Sequence, residues 1–230
     1  METASVADIL PPEPTLESCD NNQRTLDVRL KSREKLVEGF GLLQSEDWTV
    51  VNDKKDVTLT KKKVEGSSIN AIKKVMKVEC PLERIADNMM DFEQALKSND
   101  RLKDNSVVEK IDDTLMFVRR EMKGNLVVSN RDMSLLTTVI DLTDGSKVLL
   151  SFSEPCELIP ETKCVRAEVT ISLTLLVPDS ETSTTVTHVA QMNPKGSIPS
   201  SFINTMQNKQ HEGFVKFKKF LEDQAKEAAS

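Results

Sequence analysis

The sequence predicts an α+β fold in which one strongly bent antiparallel sheet grips a long C-terminal helix. Three observations carry this expectation. An amphipathic segment opens the ordered part at 25–45, short β-branched segments fill most of the chain, and a last apolar stripe from Pro199 to Glu222 has helical spacing. Sequential strands joined by turns imply an antiparallel sheet. A sheet wrapped on one helix leaves a concave apolar space, the kind of space ligands occupy.

The elements follow in order. Residues 1–23 hold Pro11, Pro12, Pro14, Asp20, Asn21 and Asn22 with little apolar content, which reads as a flexible leader ahead of one domain at 24–230. Leu26, Leu30, Leu36, Val37, Phe40 and Leu43 recur among charges and predict a helix over 25–45. Strands are expected at 48–51, 57–60 and 69–79, with 65–68 as a turn. Pro81 stands where a helix would begin, and Leu82, Ile85, Ala86, Met89, Met90, Phe92 and Leu96 carry its period to residue 96. Further strands are expected at 106–110, 114–122, 133–142, 147–153, 163–177 and 183–192, punctuated by Asp144-Gly145, the 154–162 loop and Pro178-Asp179. In the closing helix Phe202, Ile203, Met206, Phe214, Phe217, Phe220 and Leu221 form the stripe, with Ser200 or Ser201 as cap.

Composition excludes several functions. The 230 residues include 31 Lys+Arg and 37 Asp+Glu, a net charge of -6. That balance argues against nucleic acid as the main partner, because phosphate binding needs a basic footprint. A local basic face still permits contact with a membrane surface. Lys209, Lys216, Lys218 and Lys219 beside the closing stripe are its candidates. Cys19, Cys80, Cys156 and Cys164 form no Cys-x-x-Cys pair, and His188 and His211 are the only histidines. Neither a zinc site nor a disulfide framework is expected, so the thiols read as free in a reducing, cytoplasmic compartment. No apolar run reaches the roughly 18 residues of a membrane span. No nucleophile elbow, His-Glu-x-x-His, phosphate loop or dinucleotide turn occurs, and His188 within Thr185–Val189 reads as a satisfied sheet residue. An enzyme is not expected.

Three motifs carry a family resemblance. Gly124-Asn125-Leu126-Val127-Val128-Ser129-Asn130-Arg131-Asp132, Cys164-Val165-Arg166-Ala167-Glu168 and Asn193-Pro194-Lys195-Gly196-Ser197-Ile198-Pro199-Ser200-Ser201-Phe202-Ile203-Asn204 occur in that order. Together the three motifs resemble START domains, the StAR-related lipid-transfer family, over residues 25–224, and most closely the small sterol-carrying members. The resemblance implies a helix-grip fold, a tunnel for one lipid, and a lid made of an omega loop and the C-terminal helix. It further implies a monomeric intracellular carrier of sterol, touching membranes transiently and needing no cofactor beyond its lipid. A phospholipid carrier and a lipid-sensing adaptor are the alternatives.

The apolar tip Leu126, Val127 and Val128 fits such a lid, since an exposed apolar cluster must close a pocket or meet a membrane; packed inward, the three would be ordinary core. Phe202, Ile203 and Met206 are placed over the tunnel by the resemblance. Cholesterol-carrying members face an acid and a base into the tunnel. Here the acidic position falls on Phe117 or Arg119, depending on the anchor used, and the basic one on Thr137; the pair is absent as such. Phe117, Arg119 and Glu121 share one strand face. If that face looks inward, Arg119 and Glu121 replace the pair, or Arg119 meets a lipid phosphate; if it looks outward, they are ordinary surface charges. The opposite face, Met116, Val118, Arg120 and Met122, is nearly as apolar. Arg166 is a further candidate, although with Glu168 it reads first as a structural pair. Asp132 is expected to fix the base of the loop.

Overall fold

The computed structural model describes residues 6–124, 128–207 and 210–228. A short helix α1 (Val6–Ile9) and a 3-10 turn (Glu17–Cys19) precede α2 (Gln23–Gln44). Asn22 caps α2, its side chain accepting from the Thr25 amide at 3.0 Å. The leader departs from expectation. Leu10 and Cys19 are buried, the Thr143 amide donates to the Ile9 carbonyl at 3.1 Å, and Arg33 Nη1 donates to the Pro11 carbonyl at 2.7 Å. Residues 8–22 are therefore docked on the body. Ile9 and Leu10 suffice among the prolines, because both pack into the core cluster beneath α2.

Then come β1 (Thr49–Lys54), β2 (Val57–Lys62), β3 (Ala71–Val78), α3 (Leu82–Met90), α4 (Phe92–Ser98), β4 (Leu102–Lys110) and β5 (Leu115–Met122). They are followed by β6 (Arg131–Asp141), β7 (Lys147–Ser153), β8 (Val165–Arg166), β9 (Glu168–Ser180), β10 (Ser183–Asn193), α5 (Ser200–Gln207) and α6 (His211–Ala228). Two expected helices are divided. Asp91 ends α3 and its side chain accepts from the Gln94 amide at 2.7 Å, starting α4, a competition with the helix ladder that short carboxylates win. The closing helix is split into α5 and α6, and residues 208 and 209 lie outside the described ones.

Among the described residues the strands form one ten-stranded curved sheet in the order β1-β2-β3-β10-β9-β7-β6-β5-β4, with β8 parallel to β6 and all other pairs antiparallel. Helices cover both faces. Leu36 and Phe40 of α2 pack on Leu115, Phe117, Leu136, Leu150, Ile171 and Leu173. Gly39 lets α2 lie close to β9, since a Cβ there would stand 2.5 Å from Leu173 Cδ1. On the opposite, inner face Leu221, Phe214 and Phe217 of α6 and Leu82 and Ile85 of α3 cover Val57, Met76, Leu149, Leu176 and Val186. Met116, Val118, Met133, Leu135 and Val169 continue that face toward Met90 and Phe92. Each large apolar side chain so buried stabilises the fold by about 1.5–3 kcal/mol, so neither layer is dispensable.

Candidate ligand site

Side-chain alternation on β5 decides which residues face the interior. Phe117 is buried against the α2 side, whereas Met116 and Val118 belong to the inner face. Arg120 therefore points inward with them, and the expectation that Phe117, Arg119 and Glu121 line the interior is corrected. Arg119 is bonded to Asp104, and its Nη2 donates to Glu121 at 3.0 Å. Glu121 also accepts from Lys103 at 2.8 Å and Asn130 at 2.9 Å, hydrogen bonds that hold its pKa at about 2. These charges satisfy one another and fix the base of the 124–130 loop.

The inner face carries a few polar groups in an apolar field. Arg120 Nε donates to Asn105 Oδ1 at 2.8 Å, and Asn105 Nδ2 donates to the Phe92 carbonyl at 3.1 Å. Burial lowers the Arg120 pKa, and its two Nη atoms make no hydrogen bond among the described residues. Thr137 lies on the inner face opposite Met116 and shares a hydrogen bond of 3.0 Å with Ser151. Lys74, only 3% exposed, donates to Gln210 Oε1 at 2.8 Å and lies 3.7 Å from the centroid of Phe214. Its neighbour on β10 is His188, which pairs with Thr174 through Nδ1 at 3.0 Å and stacks obliquely on Phe214 at 5.5 Å. Ser151, Ser172, His188, Ala190 and Met192 keep part of their exposure in the middle of the sheet. The helices therefore do not seal this face.

Burial, then the charge of Lys74, pushes the His188 pKa down to about 3. The imidazole is neutral in the folded state, while the unfolded chain takes up a proton below about 6.5. Stability is therefore lost as pH falls from about 6.5 to 3, by up to about 1.4 kcal/mol per unit. His188→Asn is expected to flatten that acid limb in urea titrations from pH 7 to 4; an unchanged slope would contradict the assignment.

The edge of this face is closed by two tethered segments. The Gly124 amide donates to Asn130 Oδ1 at 2.9 Å, and a Cβ on Gly124 would fall 2.0 Å from the Val128 carbonyl oxygen, so the loop closes only on glycine. Leu126 and Val127 lie outside the described residues; Val128 is half-buried. Buried Arg131 donates to the carbonyls of Ser129 at 2.6 Å, Pro194 at 3.2 Å and Lys195 at 3.3 Å, joining this loop to the approach of α5. Asn204 of α5 accepts from the Asn70 amide at 3.1 Å, and Gln207 donates to the Asn70 carbonyl at 2.9 Å. Phe202 is 49% exposed, while Ile203 and Met206 are half-buried. Of the expected basic face, Lys209 lies outside the described residues, Lys216 and Lys219 are exposed, and Lys218 is paired with Asp56 at 3.6 Å and Glu222 at 3.8 Å.

Arg166 does not join the site. Its Nε and Nη2 donate to the two oxygens of fully buried Asp132 at 2.9 and 3.0 Å, and Thr162 donates to the same carboxylate at 3.0 Å. Burial alone would raise the Asp132 pKa, but these partners bring it below the usual carboxylate value. The bracket holds β8 beside β6. Glu168 pairs with Lys195 at 2.5 Å instead of Arg166. Among the described residues all four cysteines are free thiols, no acid–His–Cys cluster could hold a metal, and no helix is long and apolar enough to cross a membrane.

Lys74, Arg120 and His188 are the site residues that sequence reasoning missed or left as structural. A signal existed for two of them. Lys73-Lys74 and Arg119-Arg120 are adjacent cations inside strands, so alternation turns one member of each pair toward the inner face.

The START domain family model matches residues 34–227. Among solved structures, human STARD10 superposes with a TM-score of 0.76 at 18% identity, covering 84% of this chain and 80% of that one. Human StAR-related lipid transfer protein 5 gives 0.75 at 14% identity, covering 94% and 100%. A STAR-related lipid transfer protein fragment from Xanthomonas axonopodis gives 0.61 at 20% identity, covering 78% and 96%. At these identities the likeness is one of fold. No match to a curated protein was found.

Proposed function

Because the chain belongs to the START domain family, we propose that it carries one lipid at a time between the sheet and α6 and exchanges it at membranes. The observation that carries this reading is the unsealed inner face: apolar, studded with isolated polar groups, and edged by two tethered segments. Two of the similar structures are lipid transfer proteins by name. Such a carrier needs binding and release and no catalysis. We place it in the cytoplasm as a monomer, with only transient membrane contact and no cofactor other than its lipid.

Arg120 favours a lipid with a charged headgroup, because two guanidinium nitrogens remain to form charge-assisted hydrogen bonds with a phosphate. A sterol is the second reading. Its single hydroxyl needs one donor–acceptor partner, and the Thr137–Ser151 pair in the middle of the sheet supplies one. Native mass spectrometry of the purified protein, with extraction of what is bound, tests both. A phospholipid bound by the wild type and lost in Arg120→Met supports the first; a bound sterol selects the second. An empty protein that takes up neither from vesicles contradicts the carrier.

The lid makes its own prediction. Phe202 projects from α5 with little to pack on, so Phe202→Asp is expected to slow vesicle-to-vesicle transfer at least several-fold with a melting temperature within about 2 °C of wild type. A large fall in melting temperature with unchanged transfer would assign Phe202 to the core.

A further inference from the structure

We propose that the lipid carried is acidic, and that Lys74 receives its anionic oxygen at the start of α6 in exchange for the side chain of Gln210. The inference rests on the carrier reading and goes beyond it by naming the charge of the ligand. Lys74 is the most deeply buried cation of the inner face, yet among the described residues its ammonium meets an amide oxygen at 2.8 Å and the face of Phe214 at 3.7 Å and no carboxylate. Neither it nor Arg120 forms an ion pair among the described residues. Among the described residues, the groups set against Lys74 bring it no negative charge. The β2 residue opposite is Leu59, β10 presents His188, and α6 with the residue before it presents Phe214 and Gln210. A cation buried without a counter-charge is costly, and the cost is removed by a ligand that brings the charge in. A zwitterionic phospholipid brings no net charge to an interior holding two cations, and a sterol brings none at all.

Gln210 is suited to yield. It lies just before α6, and its amide oxygen is a weaker acceptor for an ammonium than an ionised one. Carboxylate and phosphate share the required chemistry. Burial leaves Lys74 with a pKa of about 7 in the empty protein. An anion seated on it restores the protonated form, so binding at pH 7–8 is accompanied by proton uptake.

Uptake from vesicles and calorimetry in two buffers test this with four probes: oleate, phosphatidic acid, phosphatidylcholine and cholesterol. The wild type is expected to bind oleate, phosphatidic acid or both at least tenfold more tightly than phosphatidylcholine or cholesterol, with proton uptake at pH 7.5. Lys74→Met should lose about tenfold in that affinity, lose the proton uptake and keep or raise the melting temperature; Lys74→Arg should retain the preference. Oleate alone marks a carboxylate ligand, phosphatidic acid alone a phosphate, and both together the shared anionic oxygen. Preference for phosphatidylcholine or cholesterol overturns the proposal and leaves the carrier intact. A Lys74→Met protein that melts lower and loses all four probes equally makes the ammonium a structural group and overturns it as well. Binding of none of the probes removes the carrier reading, and the proposal with it.

Discussion

Asp132→Ala is expected to lower the stability of the fold by about 3 kcal/mol, among the largest losses a single polar substitution should cause here. The carboxylate is fully buried and accepts two charge-assisted hydrogen bonds from Arg166 and one from Thr162. Such bonds contribute about 1.5–3 kcal/mol each when one partner is removed, and breaking a buried pair costs about 3–5 kcal/mol. Arg166 keeps about a third of its side-chain exposure, so water recovers part of the loss and the lower end applies. At roughly 2–4 °C per kcal/mol for a domain of this size, the melting temperature should fall by about 6–12 °C. Asp132→Asn keeps the shape and should fall between. A shift below about 2 °C in Asp132→Ala would mean that β8 is held by something other than this bracket.

The second large effect has the opposite sign. Lys74→Met is expected to stabilise the empty protein at pH 6–7, because methionine fills similar volume without a charge to desolvate. The sign follows from linkage. The Lys74 pKa falls from 10.5 to about 7 on folding, so between those values the unfolded chain holds a proton that the folded one has released. Wild-type stability should therefore rise with pH from about 7 toward 10, by at most about 1.4 kcal/mol per unit, and the full penalty below pH 7 is on the order of 5 kcal/mol. Lys74→Met should remove the slope. Urea titrations of both proteins from pH 6 to 10 measure it; parallel curves would mean that the ammonium finds its own compensation in the fold.

The architecture was legible in the sequence to an unusual depth, because its information is local. Period-3.6 stripes at 25–45 and after Pro199, and short β-branched runs between turn residues, were enough to expect a bent sheet on a helix. The misses share a cause too. Asp91 and the break between α5 and α6 interrupt apolar periods that continue across them, so periodicity runs straight through. The leader looked free because its burial depends on a partner, the β6–β7 turn, more than a hundred residues away.

The site was less legible for a different reason. β5 is apolar on both faces, since one is covered by α2 and the other looks into the interior, so alternation alone gave no sign of which charges point inward. One buried phenylalanine resolves it: with Phe117 on the α2 side, Arg120 faces the interior and Arg119 does not. Arg166 and Asp132 are distant in sequence, and only the parallel pairing of β8 with β6 brings them into contact.

The proposed carrier takes a lipid from one membrane into its interior and delivers it to another. Transfer of a fluorescent acidic phospholipid between donor and acceptor vesicles, followed against protein concentration, addresses it most directly. The rate is expected to rise in proportion to protein, to fall at least several-fold in Phe202→Asp, and to lose its preference for acidic over zwitterionic lipid in Lys74→Met. A protein that binds lipid stoichiometrically while leaving the transfer rate at its spontaneous value would contradict it, and would make the chain a sensor of lipid instead of its carrier.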